Sequence, residues 1–255
     1  MKCNHLALLA VLAFSSLSTQ ARAISLGSAE SFGLLGGSGV SNTGSSVINN
    51  GNVGSSPTST VTGFPPGVVN NGTLFTAADP VTSQAHADLG TAATAAQTAP
   101  GGTPGPADLG GATLIPGVYT YASTAPWTAG NLTLNGQGNP NAQWIFQIGS
   151  GLTTPAGAMV VLSNGASADH VFWQIGSSAT LGASNTFAGN ILALTSITLG
   201  GGTLNGRALS IDGLVSISTA ETVNVPGAAV PEPGTFLLLG SGLVSLLALR
   251  KRRNG

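Results

Sequence analysis

A short strand pattern recurs four times between Trp144 and Ser218 and constrains the fold more than any other feature of the sequence. In each copy, an apolar strand is followed by a kink of small residues and then by a second strand that contains Ser or Thr. The apolar strands are marked by Ile145, Phe172, Ile191 and Leu209, so successive copies are offset by 27, 19 and 18 residues. A period near 20 that is built from short strands predicts a solenoid, in which each coil buries its inner face against its neighbours.

The second strand of each copy alternates between apolar and small polar residues. In Ser196-Ile197-Thr198-Leu199 the apolar side chains lie two residues apart, which is typical of a strand with one buried face. Stacked coils repeat about every 4.8 Å, so the outward residues are expected to form a flat, uncharged lattice of hydroxyl and methyl groups. These outward residues are Gly151, Thr153, Ser178, Thr180, Ser196, Thr198, Leu214 and Ser216.

One helix is predicted between Asp79 and Ala99. Asp79 suits the N-cap and Pro80 suits the first helical position. A helix of about 19 residues spans roughly 28 Å, which matches about six coils, so we expect it to lie parallel to the solenoid axis. His86 falls beside the apolar stripe and is expected to be solvated rather than to bind a metal. The stripe that faces the solenoid is predicted to be Val81, Ala85, Leu89, Ala92, Ala93 and Ala96.

Charge is scarce, which excludes several classes of partner. The chain has 7 Lys and Arg residues and 8 Asp and Glu residues, and Arg207 is the only basic residue between Ala23 and Leu249. Binding of nucleic acid needs many cationic side chains, so a nucleic-acid partner is not expected. The single cysteine, Cys3, lies in the N-terminal leader, so no disulfide, thiolate metal site or cofactor is expected in the exported chain.

Both ends of the chain carry targeting patterns. Residues 1–23 combine Lys2, an apolar run and Ala21-Arg22-Ala23, as a secretory signal does; the alternative is a buried N-terminal helix. The tail, residues 230–255, places Pro231-Glu232-Pro233 before an apolar run and a basic cluster. It resembles the PEP-CTERM sorting signal, which implies processing by an exosortase; the alternative is a simple C-terminal membrane anchor. The solenoid domain is therefore expected to occupy residues 24–229.

Patterns of catalytic residues are missing from the sequence. It contains no Gly-x-Ser-x-Gly elbow and no Gly-rich loop followed by Lys and Ser or Thr. Asp169-His170 is the one adjacent acid and histidine pair, and its place at a coil corner favours a turn. Glu30, Asp88 and Glu221 are scattered singly, without the pairing that acid–base chemistry needs. We therefore do not expect an enzyme.

The block from Leu26 to Val225 resembles the microbial ice-binding protein family. The matching stretches are Ser31 to Ser38, Asn42 to Gly44, Gly63 to Gly67, Ile115 to Tyr119, Asn141 to Gly149 and Val171 to Gly182. The resemblance implies a mostly β fold, namely a right-handed three-sided β-solenoid with one long α-helix packed along its axis. It also implies that one flat side contacts ice, with Thr133 joining the eight outward residues named above. Three rows match the family's short motif: Ser150 to Thr153, Ser177 to Thr180 and Thr195 to Thr198.

These observations predict an exported monomer that adsorbs to the ice lattice and inhibits ice growth or recrystallisation. The alternative is a matrix or adhesion protein that presents the same scaffold to exopolysaccharide and has no activity on ice. The sorting tail favours delivery to the cell surface or extracellular matrix after transient membrane anchoring by its apolar run, read as a transmembrane helix. The ordered Thr and Ser rows favour ice.

Overall fold

A computed structural model describes residues 24–226 of the chain. The leader predicted at residues 1–23 and the sorting tail with Pro231, Glu232 and Pro233 lie outside these described residues. Within residues 24–226, no helix is both long and apolar enough to cross a membrane.

The described residues form twenty short strands, one α-helix and two 3₁₀ turns, at Gly27–Ser31 and Ala168–His170. The α-helix is α1 (Pro80–Gln97). Ahead of it lie β1 (Phe32–Gly36), β2 (Gly39–Asn42), β3 (Val47–Asn49), β4 (Asn52–Ser55), β5 (Val61–Thr62) and β6 (Val68–Asn70). After it come β7 (Thr103–Pro104), β8 (Thr113–Leu114), β9 (Gly117–Tyr121), β10 (Leu132–Asn135), β11 (Trp144–Ile148), β12 (Leu152–Thr153), β13 (Val160–Ser163), β14 (Val171–Ile175), β15 (Ala179–Leu181), β16 (Asn185–Ala193), β17 (Ile197–Leu199), β18 (Gly202–Ser210), β19 (Leu214–Ile217) and β20 (Glu221–Asn224).

These strands wind into a three-sided solenoid in which the strand pairs are parallel, as the repeat predicts. One side, the Thr/Ser face, is a six-stranded sheet in the order β12-β15-β17-β19-β2-β5. A second side, the helix face, contains β11, β14 and the second halves of β16 and β18. The third face contains the first halves of β16 and β18 with β20, β3 and β6. The long strands β16 and β18 bend between the last two sides at Gly189 and Gly206, whose φ angles are +117° and +151°.

The interior is filled by apolar side chains stacked from coil to coil. Tyr119, Phe146, Trp173 and Ile191 are registered partners on four neighbouring strands. The rings of Phe146 and Trp173 are parallel within 6°, with centroids 3.9 Å apart. Each coil therefore supplies only part of a core that is continuous along the axis.

Helix α1 lies on the helix face, as predicted. The Asp79 carboxylate accepts a hydrogen bond from Val81 N–H at 2.7 Å, so the predicted cap is present. At the other end, Gln147 Nε2 donates to the carbonyl oxygens of Ala96 and Ala99, at 2.9 and 3.0 Å. These contacts satisfy backbone groups that a helix end leaves unpaired.

Two expectations about this helix were wrong. Val81 is 46% exposed, and Thr82 is buried in its place because it lies three residues before Ala85 and seven before Leu89, on the same side of the helix. His86 is not freely solvated: its Nε2 lies 2.7 Å from the carbonyl oxygen of Ile211, which accepts the hydrogen bond.

The N-terminal coils stack on the C-terminal coil. β1 lies between β18 and β4, while β2 pairs with β19 and β3 pairs with β20. The repeat between Trp144 and Ser218 did not specify this position. The two ends of the described chain are thus adjacent, and the middle of the chain forms the opposite end of the stack.

Candidate functional site

The Thr/Ser face carries a line of hydroxyl groups that crosses all six of its strands. The strands alternate between core and solvent, so one outward position recurs in every coil. At about 4.8 Å per strand, six such positions span roughly 24 Å between the first and the last. The registered residues are Thr153, Thr180, Thr198, Ser216, Ser41 and Thr62.

A second outward row lies two residues earlier along the chain in five of the six coils. It consists of Gly151, Ser178, Ser196, Leu214 and Gly39. Leu214 is larger than its neighbours, but its side chain leans over Gly39. A Cβ atom added to Gly39 would lie only 3.1 Å from Leu214 Cδ1. The glycine therefore leaves room for the leucine to lie along the face instead of standing above it.

The face is held from behind by a buried apolar layer. The inward residues between the two rows are Leu152, Ala179, Ile197, Val215 and Val40, each at most 1% exposed. At the edge of the sheet, the hydroxyls of Ser178 and Thr195 are 2.9 Å apart and hydrogen-bonded. Close packing below and parallel pairing on both sides fix the outward positions.

The structure brings together eight of the nine predicted site residues. Thr133 is separate: it lies on β10, in a three-stranded sheet with β8 and β13, where it pairs with Thr113 and Val161. The assignment of Thr133 to this surface is therefore corrected, because its strand follows a different corner of the coil. On the helix face, Gln174 is only 8% exposed.

Sequence reasoning missed the part of the face that the N-terminal coils contribute. Ser41 and Thr62 extend the hydroxyl line by two strands. The signal was present, since Ser38-Gly39-Val40-Ser41 and Ser59-Thr60-Val61-Thr62 repeat the spacing of Ser150 to Thr153.

The two outward rows contain no ionisable side chain. Asp212 is exposed at the neighbouring corner. Within residues 24–226, no group of three or more His, Cys, Asp or Glu side chains is placed to hold a metal ion. Among the carboxyl groups of residues 24–226, the strongly perturbed one is Glu221, where burial raises the pKa to about 7 against the opposing effect of a hydrogen bond from the Gly201 backbone. Glu221 is 4% exposed and faces inward.

Comparison with known proteins identifies relatives over almost the whole chain. A family model described as "Ice-binding-like" matches residues 34–223, and a PEP-CTERM protein-sorting motif matches residues 229–253. An ice-binding protein of Nostoc sp. (strain HG1) is 52% identical over 260 residues, which cover 96% of this chain and 94% of the relative. The matched motif confirms the resemblance of the tail.

Solved structures agree with these matches. The ice-binding protein of the Antarctic ascomycete Antarctomyces psychrotrophicus superposes with a TM-score of 0.73 at 39% identity, covering 81% of this chain and 100% of that one. A domain of Shewanella frigidimarina ice-binding protein 1 gives a TM-score of 0.73 at 28% identity, over 80% and 98% of the two chains. None of these relatives supports the matrix or adhesion alternative. The family match spans well over half of the sequence, and the chain belongs to the ice-binding-like family.

Proposed function

We propose that this protein adsorbs to ice through the Thr/Ser face and thereby inhibits ice growth or recrystallisation. The observation that carries the proposal is the register of Thr153, Thr180, Thr198, Ser216, Ser41 and Thr62 across six strands. The relatives named above are ice-binding proteins, and this chain shares their fold and family.

The physical basis is that the Thr/Ser face orders its surface water before the protein contacts an ice crystal. Each threonine offers a hydroxyl that donates and accepts hydrogen bonds beside a methyl group that does not. Repetition at about 4.8 Å holds neighbouring water molecules in fixed relation to one another. A bridging water costs about 0–2 kcal/mol to immobilise, so the gain per site is small. Many such sites on one rigid scaffold act together. Once the first contacts have fixed the protein on the ice, each further contact costs little additional entropy.

The lack of charge on the face supports the same conclusion. A carboxylate or ammonium group binds its hydration shell strongly, and removing that shell costs free energy. Serine, threonine and glycine avoid that cost. In this proposal the protein acts as a monomer and without catalysis, and the family to which it belongs is one of ice-binding proteins.

The test compares the processed protein with a Thr180→Tyr variant. Thr180 lies between Thr153 and Thr198, so a tyrosine ring there would stand above the row and keep its neighbours from the lattice. We expect wild type to shape ice crystals and slow recrystallisation, and Thr180→Tyr to lose most of both effects with an unchanged melting temperature. The control is Ala87→Tyr on the exposed side of α1. Full activity in Thr180→Tyr would refute the assignment of the face, and an inactive wild type would refute ice binding.

We also propose that the tail delivers the exported protein to the cell surface. Support comes from the sorting motif matched at residues 229–253, which implies recognition by an exosortase-type system. The membrane-anchored form would be transient, and cleavage near Pro231-Glu232-Pro233 would release the solenoid to the surface or to an exopolysaccharide matrix. Intact-mass measurement of protein from the native surface tests this: a retained residue 255 would mean that the tail is only an anchor.

A further inference from the structure

The third face of the solenoid carries its own registered rows. Thr186, Thr203 and Thr222 are partners on β16, β18 and β20, and the line continues through Val47 and Val68 on β3 and β6. All five side chains are partly or largely solvent-exposed, and Val68 is 48% exposed. The inward residues between the rows, such as Leu204 and Val223, are buried. This side therefore has the same construction as the Thr/Ser face.

An asparagine ladder runs beside the threonine and valine row. Asn224 Nδ2 donates to Asn205 Oδ1 at 3.0 Å, Asn49 Nδ2 donates to Asn224 Oδ1 at 3.0 Å, and Asn70 Nδ2 donates to Asn49 Oδ1 at 3.1 Å. Each amide is thus fixed by its neighbours. A side-chain amide has two N–H donors and two acceptor lone pairs, so the inner members of the ladder keep one of each for water.

The third face meets the Thr/Ser face at a corner rich in glycine. A groove of about 480 Å³ lies there, lined by residues that include Thr186, Thr203 and Gly200 to Gly202. Asn185 also lines the groove, and its Oδ1 atom is buried without a hydrogen-bond partner among the described residues. Buried polar atoms in native proteins are nearly always paired with protein or ordered water. An ordered water molecule bound to Asn185 is therefore expected at this corner.

We propose that the third face is a second ice-adsorbing surface, which lets one molecule hold two differently oriented ice planes. The inference rests on the ice binding proposed above. The outward rows carry no charge, the threonines repeat at the strand spacing of about 4.8 Å, and the ladder fixes the amides. No aromatic side chain lies in either row, so the stacking platform that a sugar ring prefers is missing from this face. The large apolar residues there, Met159, Val47 and Val68, are too few for a protein interface that needs a continuous hydrophobic centre.

The experiment measures which planes of a single ice crystal bind fluorescently labelled, processed protein. Four proteins are compared: wild type, Thr180→Tyr, Thr203→Tyr and the double variant, with Ala87→Tyr as a control for an added surface tyrosine. We expect wild type to label two sets of planes, each single variant to lose a different set, and the double variant to lose all labelling. Circular dichroism melts confirm that each variant is folded.

The outcomes separate this inference from the proposed function. If Thr180→Tyr alone removes all labelling, the third face binds no ice and the Thr/Ser face remains the single site. If Thr203→Tyr labels the same planes as wild type, the second surface is likewise refuted. If wild type labels no plane, the proposed function itself fails. If Thr203→Tyr unfolds, Thr222→Tyr at the next position of the same row replaces it.

Discussion

Arg207 and Asp169 form an ion pair across two coils, with Nη1 3.1 Å from Oδ1 and the arginine side chain only 1% exposed. The same guanidinium donates to the carbonyl oxygens of Glu30 and Pro226 and to Asn190 Oδ1. Glu30 and Pro226 lie near the two ends of the described chain. One cation thus joins the first 3₁₀ turn, the last described residue and the coils between them.

Replacing this arginine should destabilise the fold. Arg207→Met removes hydrogen bonds to four buried or partly buried acceptors, and an acceptor that stays buried and unsatisfied costs about 1–3 kcal/mol. We expect the free energy of unfolding to fall by about 3 kcal/mol, allowing for partial rehydration of Asp169, which is 31% exposed. Urea denaturation measures the change. Asp212→Asn alters an exposed charge and should stay within about 0.5 kcal/mol of wild type. Equal effects of the two substitutions would contradict this account.

Glu221 makes stability depend on pH. Burial raises the pKa of its carboxyl group to about 7 in the folded protein, above the ordinary value of 4.5. The unfolded chain therefore releases this proton at lower pH than the folded chain does. The contribution is fully present below about pH 4.5 and is lost as the pH rises to about 7, with a total of roughly 2 to 3 kcal/mol.

The measurement is the melting temperature between pH 4.5 and 8 for wild type and Glu221→Gln. We expect the glutamine variant to lose this component of the pH dependence, because the amide stays neutral throughout the range. A wild-type profile that the substitution leaves unchanged would show that Glu221 does not titrate in this interval.

The contact between α1 and the solenoid depends on small side chains. Ala96 is completely buried against the helix face, whereas its neighbour Ala95 is exposed. Ala96→Leu forces three extra heavy atoms into a packed interface and should cost about 1–3 kcal/mol. Ala95→Leu makes the same chemical change toward solvent and should stay within about 0.5 kcal/mol. Thermal melts of the two variants test the contact, and a stable Ala96→Leu protein would mean that the interface is loosely packed.

Gly39 should affect both stability and activity. Its φ angle is +152°, and an added Cβ atom would lie 3.0 Å from Thr60 O and 3.1 Å from Leu214 Cδ1. Gly39→Ala should lift Leu214 from the Thr/Ser face, lower thermal hysteresis and cost about 1–3 kcal/mol. The control is Gly90→Ala in α1, where an added Cβ meets no atom within 4 Å and helix propensity improves. Undiminished activity in Gly39→Ala would show that the flat position of Leu214 is unimportant.

The regular coils could be predicted from sequence because their signals are local. Alternation in Ser196-Ile197-Thr198-Leu199 identifies both the strand and its outward residues, and the parallel pairing of neighbours follows from the repeat. Thr133 follows the same alternation but lies on another side, since alternation cannot distinguish one outward side of a coil from the next. The place of Ser41 depends on pairing with Ser216, 175 positions away, which no local pattern specifies, and Thr62 takes its place by pairing with Ser41.

The stacking of the first coils on the last one affects how the chain folds as well as its final form. Thr43 donates from its hydroxyl to the carbonyl oxygen of Ile217, 174 residues further along the chain. Strand β1 has no partner on its β18 side until almost the whole domain has been synthesised. Folding slows when contacts join residues that are distant in sequence, because a long loop must close before the contacts form. We expect the topology itself to delay folding during synthesis, which would keep the chain extended while it is carried across a membrane.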